Sequence, residues 1–415
     1  MRIARVSLYL AGAGLALQCV ASAAPATPPT KPIPVGTTLK QAVDSAWRRA
    51  PIARTLEARQ DEAAAARSLA GSWLAANPTL GLSQRNDTGA SGRDQRGQRE
   101  SDLSVSTSIW LPHQKRARET LAERSTEEIA AHLGATRLEI AGLVRSRLWE
   151  AAAARVMLDE RQGHVQHLEQ LAEEVQRRVK AGDLARSDGL LAEQEVLAAR
   201  IQVLHARTNA TDALARYRVL TGLPELPALE PEPLHETDAP ANPRLRAAQA
   251  SEGRARASLR LAEASRAAPP TVALSVRRED ERTLREPARS IGIALQIPLG
   301  SAGRNRSIEA QASTVIATAA AEAAQVHASA VADIEVARER LSNARLALAT
   351  ADARAAALHE HTALFAKAFQ HGERGLAELL RSHALTHEAD VAVAQQRVAL
   401  GLAHASLNQA LGILP

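Results

Sequence analysis

Histidine offers the clearest candidate chemistry in this chain. His383 and His387 stand four residues apart, and His164 and His167 three apart. On a helix either spacing puts both imidazoles on one face, as a zinc-class ion needs. His359 and His361 do not share a face. A closed zinc site takes three or four ligands, and near the first pair only Glu388 offers a carboxylate. His383 and His387 are therefore candidates only; exposed histidines on a hydrated helix are expected, with no resident metal and no cofactor. The glycine-rich stretch Thr88–Gly97, TGASGRDQRG, lacks the strand–helix setting and Lys-Ser/Thr ending of a phosphate loop. No Ser/His/Asp or paired-carboxylate set stands out from a random helix surface. An enzyme is not expected.

The elements that carry these residues are mostly helical. Ala, Leu, Arg and Glu dominate, and the chain has only two Phe and two Tyr. That suits long helices packed closely through small side chains. The net charge of +5 is spread among interleaved acids and bases, so solvated helix faces are expected rather than a nucleic-acid surface. Arg2 and Arg5, the apolar run Val6–Val20 and the small-x-small site Ala21-Ser22-Ala23 read as a secretory signal peptide, residues 1–23. Cleavage after Ala23 removes Cys19, the single cysteine; lipidation at Cys19 is the alternative, with Gln18 poorly placed for it. Residues 24–37 read as an extended segment, and no later stretch gives about 20 consecutive apolar residues.

The remainder reads as one pattern, twice. Helix is expected over Thr38–Ala76, broken at Pro51; then strands at about 78–85 and 102–112, a long helix His113–Val179, a break at about 180–188, and a helix to Leu220. A linker, 222–241, is rich in proline. The second half repeats the order: helix from Pro243, strands at about 270–278 and 289–299, a long helix Arg304–Phe369, a break at about 370–378, and a last helix. The repeats are placed at 38–221 and 242–415. Gly182 and Gly372 each precede an acid by six residues, Asp188 and Glu378.

The strands are two-faced. In SIGIALQIPLG, Ile291, Ile293, Leu295, Ile297 and Leu299 alternate with Ser290, Gly292, Ala294, Gln296 and Pro298. One face suits lipid and the other a wet lumen, at the length a tilted strand needs to cross a bilayer. Four strands cannot close, and open edges are not tolerated in hydrocarbon, so closure needs more than one chain. In each repeat two shorter helices laid end to end match one long helix of roughly 100 Å at ~1.5 Å per residue.

The duplicated order, the strand ends SIWLP (Ser108–Pro112) and LQIPLG (Leu295–Gly300), and the tips RVKAGDLARSDGLLAEQ (Arg178–Gln194) and AFQHGERGLAELLRSH (Ala368–His383) resemble the TolC-like outer-membrane efflux protein family. The resemblance spans Thr38–Leu414 and is most like the heavy-metal, cobalt-zinc-cadmium branch. It implies a mainly α fold with a small β part: a homotrimer with a 12-stranded outer-membrane barrel, continued by a periplasmic α-helical barrel. It implies a passive duct in the outer membrane, partnered by lipid, a periplasmic adaptor and an inner-membrane pump of the resistance–nodulation–division type. The cargo it implies is heavy-metal cations, with small organic toxins or a secreted polypeptide as alternatives. It puts a periplasmic gate at Glu378 and Arg381, where the family has two acids. Adaptor docking falls to Gly182, Asp183, Leu184, Ser187 and Asp188, with Gly372, Glu373 and Leu376. A periplasmic adaptor would show one helical hairpin rather than two, and a coiled-coil scaffold has no use for lipid-faced strands.

Overall fold

The computed structural model describes residues 37–86, 98–234, 242–281 and 286–415. The signal peptide, Cys19, residues 24–36, Thr88–Gly97 and the end of the linker lie outside the described residues. Eleven elements follow in the order α1 (Leu39–Arg49), α2 (Pro51–Ala70), β1 (Thr79–Asn86), β2 (Gln98–Ser108), α3 (Pro112–Ala181), α4 (Arg186–Thr221), α5 (Pro243–Ala264), β3 (Thr271–Glu281), β4 (Ala288–Gln296), α6 (Ala302–Gln370) and α7 (Leu376–Leu411).

Local chemistry sets the boundaries. Thr38 caps α1, its hydroxyl accepting from the Gln41 N–H at 3.2 Å while Gln41 Oε1 accepts from the Thr38 N–H at 2.9 Å. Pro51 ends α1 at Arg49 and opens α2, because proline lacks the donor a helix interior needs but suits a first turn. The first helix stops at Ala70, not at the expected Ala76. Beyond Gly71 the backbone is spent elsewhere: the Ala75 N–H donates to Ser108 O at 2.7 Å, and Trp73 O accepts from the Trp110 N–H at 2.9 Å.

The four strands form one antiparallel sheet in chain order, β1-β2-β3-β4. β2 runs over 98–108, earlier than the expected 102–112, and β3 continues to Glu281. The charged residues there read as loop, yet they pair across the strands: Arg277 meets Glu100 at 2.8 Å. Ile109 keeps a single bridge, to Leu74, before α3 begins.

α3 and α6 have 70 and 69 residues, about 105 Å each at 1.5 Å per residue. α1, α2 and α4 pack along α3, while α5 and then α7 lie between α3 and α6. Three shorter helices thus line one flank of α3 and two line the other. The cores are built largely of alanine. Ala42, Val43 and Ala46 of α1 pack on Ile140, Ala141 and Val144 of α3 and Tyr217 of α4. Small side chains let the axes approach closely, which offsets the shortage of aromatics. Averaged over eighteen residues, α6 does reach a membrane-like mean hydropathy of 1.2, with 6% of that window buried. No unbroken apolar run accounts for it; the apolarity comes from alanine on a flank that nothing among the described residues covers.

Candidate functional site: a strand band, two hairpin tips and a histidine cluster

The strand register builds a continuous apolar band. Leu80, Val105, Leu274 and Ile293 form one cross-strand row, and Leu82, Leu103, Val276 and Ile291 the next. Between them, on the opposite face, run Gly81, Ser104, Ser275 and Gly292. Ile291, Ile293, Leu295 and Ile297 are 61–79% exposed, whereas Ser104 and Ser275 are half-buried. Such a band in water would be an aggregation liability, and in lipid it is solvated. β1 and β4 are edges, each with one neighbour. After β4 the chain turns into α6 at Gly300, where a Cβ would lie 2.2 Å from Arg266 O. Only glycine permits that backbone approach.

The two tips are built alike. Gly182 and Gly372 adopt left-handed conformations, φ 87° and 75°. The N–H of the following residue reaches back five residues in both: Asp183 to Arg178 O and Glu373 to Ala368 O, each at 2.9 Å. This is the Schellman pattern that satisfies the last carbonyls of a helix. Asp188 then accepts from the Ala185 N–H at 3.2 Å and caps α4. Gly182, Asp183, Ser187, Gly372 and Glu373 are exposed, with Leu184 and Asp188 half-buried. Leu376 departs from the expected crown. It is 3% exposed and packs with Leu379, Phe369, Val175 and Ala192 in the core that joins the two hairpins. As the first residue of α7 it faces the neighbouring helices, so its role is cohesion. Glu378 is half-exposed and pairs with Arg374 at 3.3 Å, and Arg381 is exposed. Arg374 lies four residues before it, one turn along.

The histidines read as separate pairs meet between α3 and α7. His167 Nε2 and His383 Nδ1 are 3.0 Å apart, and the rings of His164 and His387 stack at 3.8 Å, 4° from parallel. The Arg161 guanidinium approaches His387 Nε2 at 3.1 Å. Arginine only donates, so that nitrogen accepts and His387 is neutral. Burial, reinforced by neighbouring imidazoles and Arg161, holds His164 down to about 4; burial and the facing histidines do the same to His383, and burial with Arg161 to His387, each to about 4. Beside them lie Glu160 and Asp390, and the Glu160 carboxyl is pushed up by burial and then by Asp390. A buried hydroxyl chain lines the same groove, with Thr362 Oγ1 at 2.6 Å from Ser382 and 2.7 Å from Thr386. Among the described residues no group of three or more His, Cys, Asp or Glu side chains is arranged to hold a metal ion.

No protein-family model and no curated protein sequence matches the chain. Solved structures do. CusC, from a study of its folding and transmembrane channel formation, matches with a TM-score of 0.74 at 15% identity, over 91% of this chain and 93% of that one. The outer-membrane protein VceC from Vibrio cholerae matches at 0.71 and 16%, over 90% and 96%. The open-state MtrE outer-membrane channel of Neisseria gonorrhoeae matches at 0.71 and 18%, over 90% and 89%. This chain has the outer-membrane channel fold. At 90–91% of this chain, the match spans the sheet and the helical wall together.

Within this channel fold, the residue best placed to hold the two halves together escaped the sequence reading. Arg145 of α3, 3% exposed on its side chain, forms a fork with Glu232 of the linker at 2.8 and 2.6 Å. It also donates to Gln409 Oε1 at 2.7 Å and to Ile413 O at 3.1 Å. Asn408 Nδ2 donates to Glu232 at 3.2 Å and to Pro233 O at 3.0 Å. The linker is therefore strapped to α3 and to the end of α7. Arginine amid the alanines and leucines of a long helix carries no distinguishing local pattern; its partners lie 87 and 264 residues away.

Proposed function

We propose that three copies of this chain close into a passive duct through the outer membrane and periplasm, the outer-membrane component of a tripartite efflux system. The observation that carries the reading is the four-stranded sheet with an exposed apolar band and two open edges. Three such sheets give twelve strands and leave no edge in lipid. The helical wall supports the same count. Its outer flanks carry exposed apolar residues, Leu190, Leu197, Ile201 and Leu204 on α4 and Leu346 and Leu364 on α6. Four helices abreast per copy close a twelve-helix tube. The chain is exported by a signal peptide cut after Ala23, and 38–221 and 242–415 are its two repeats. A detergent-extracted protein with the mass of three chains is the expected result. A monomer, or release from membranes by mild salt, would refute it.

The paired tips form the face that meets the periplasmic adaptor, through Gly182, Asp183, Ser187, Gly372 and Glu373, with Leu184 and Asp188 behind them. The pump that feeds it is of the resistance–nodulation–division type, and the cargo is heavy-metal cations. A threefold ring of Glu378 at the constriction favours cations to the extent that Arg374, 3.3 Å away, and Arg381 leave its charge unbalanced, because like charges at one radius draw counter-ions. A β-branched residue at Gly182 or Gly372 strains the left-handed turn by about 1–2 kcal/mol or more. Gly372→Val is thus expected to lower metal resistance and crosslinking from Asp183→Cys to the adaptor, with normal trimer yield. Lost resistance with undiminished crosslinking would remove the docking assignment.

A further inference from the structure

We infer that the α3–α7 histidine cluster is a binding site for a divalent d-block cation of the zinc class, one per chain, with His164, His167, His383 and His387 as its ligands. The site is independent of what the duct carries.

Three observations lead there. First, both spacings are chelating ones. His383 and His387 at i,i+4 repeat the arrangement by which two imidazoles on one helix face hold one zinc ion. His164 and His167 at i,i+3 do the same on α3. The antiparallel packing of α3 and α7 brings the two pairs face to face, His167 opposite His383 and His164 opposite His387. Second, the His167–His383 nitrogen separation of 3.0 Å is already close to the spacing across a tetrahedral ion. Zn–N bonds of 2.0–2.1 Å place two such nitrogens about 3.3 Å apart. Third, the groove holds two carboxylates, Glu160 and Asp390, near one another, which a bound cation would stabilise and which offset the positive charge of Arg161.

Closure needs the second pair to move. His164 and His387 now stack, and Arg161 occupies His387 Nε2. Rotation of these two rings about χ2, a broad and soft torsion, unstacks them and frees the nitrogens as Arg161 swings out. The first pair then exchanges its N···N hydrogen bond for two metal bonds, the bridging proton passing by tautomerisation to the outward nitrogen of the ring that carried it. Other charged and titratable groups around the groove are His359, which pairs with Asp390 at 2.7 Å, and Asp159 and Arg397, which both act on Glu160. An ion held there would tie the first repeat to the second a few turns above the tips.

The test is a Co²⁺ titration of the metal-stripped protein purified in detergent. One equivalent per chain is expected, with the intense visible bands of four-coordinate cobalt, displaced by Zn²⁺. His167→Gln and His383→Gln should each weaken binding at least about tenfold, since even outer-shell partners are worth that much. His205→Gln and His327→Gln, on exposed positions elsewhere, should leave it unchanged. A second readout uses the unaltered chain. Zn²⁺ should protect the peptides bearing His164, His167, His383 and His387 from diethyl pyrocarbonate, but not the one bearing His205. No stoichiometric binding, a six-coordinate spectrum, equal affinity in the variants, or no selective protection would overturn the site.

Discussion

Arg in place of Ile293 is expected to cut the membrane-inserted protein severely, whereas Arg in place of the adjacent Ala294 leaves most of it inserted. The two residues are neighbours in β4 and differ in face. Ile293 is 79% exposed and lies in the cross-strand row with Leu274, Val105 and Leu80. Ile293 lies near the middle of β4 and of the apolar run Ile291–Ile297. A guanidinium on the lipid face near the midplane costs about 2–4 kcal/mol, roughly 30-fold or more in the folded, inserted population. Ala294 belongs to the row of Thr79, Ser106 and Ala273, on the small, polar face. An arginine there stays hydrated. The measurement is the amount of heat-modifiable, detergent-extracted protein in the outer-membrane fraction for each variant. Equal yields would mean that the two faces are not lipid and lumen, and the barrel assignment would fall with them.

The second large effect is expected at Arg145. Arg145→Ala leaves the Glu232 carboxylate, 13% exposed on its side chain, with no cation, and takes a donor from Gln409 Oε1 and from the Ile413 carbonyl. Breaking one side of a buried pair costs about 3–5 kcal/mol. The linker between the repeats should then detach. We expect a lower thermal midpoint by far-UV circular dichroism, and proteolytic cleavage within 222–234 that the unaltered chain resists. Arg145→Met combined with Glu232→Met should recover much of the loss, because removing both charges also removes their desolvation cost. Unchanged stability and protease resistance in Arg145→Ala would show that the strap does not hold the halves.

The sequence by itself determined the local architecture. A period of two in residues 290–299 separates an apolar from a polar face without knowledge of any partner strand, because the pleat alternates side chains whatever lies beside them. Glycines 182 and 372 mark the tips because a left-handed turn is a property of one residue. Helix lengths follow from the spacing of such breaks, so the wall of long and paired short helices was legible too. Where the reading missed, the cause was that a neighbour decided. Residues 98–101 look like loop by composition and became strand because β3 offers them partners through Glu281. The helix after Pro51 stopped short because the backbone around Trp73 bonds to β2 instead.

Only the tertiary structure decided which way each helix face turns. Leu376 was placed in the exposed crown, but the azimuth of α7 against α3 turns it into the core beside Phe369 and Val175. The two histidine pairs were each visible as helix-face neighbours, while their meeting was not. His167 and His383 are 216 residues apart, and their contact depends on the axial register and rotation of two antiparallel helices. Arg145 and Glu232 likewise find each other only when the linker is laid across α3. Periodicity fixes a residue's position on its own element; register between elements is set by the packing of many small side chains at once, which no single stretch of chain encodes.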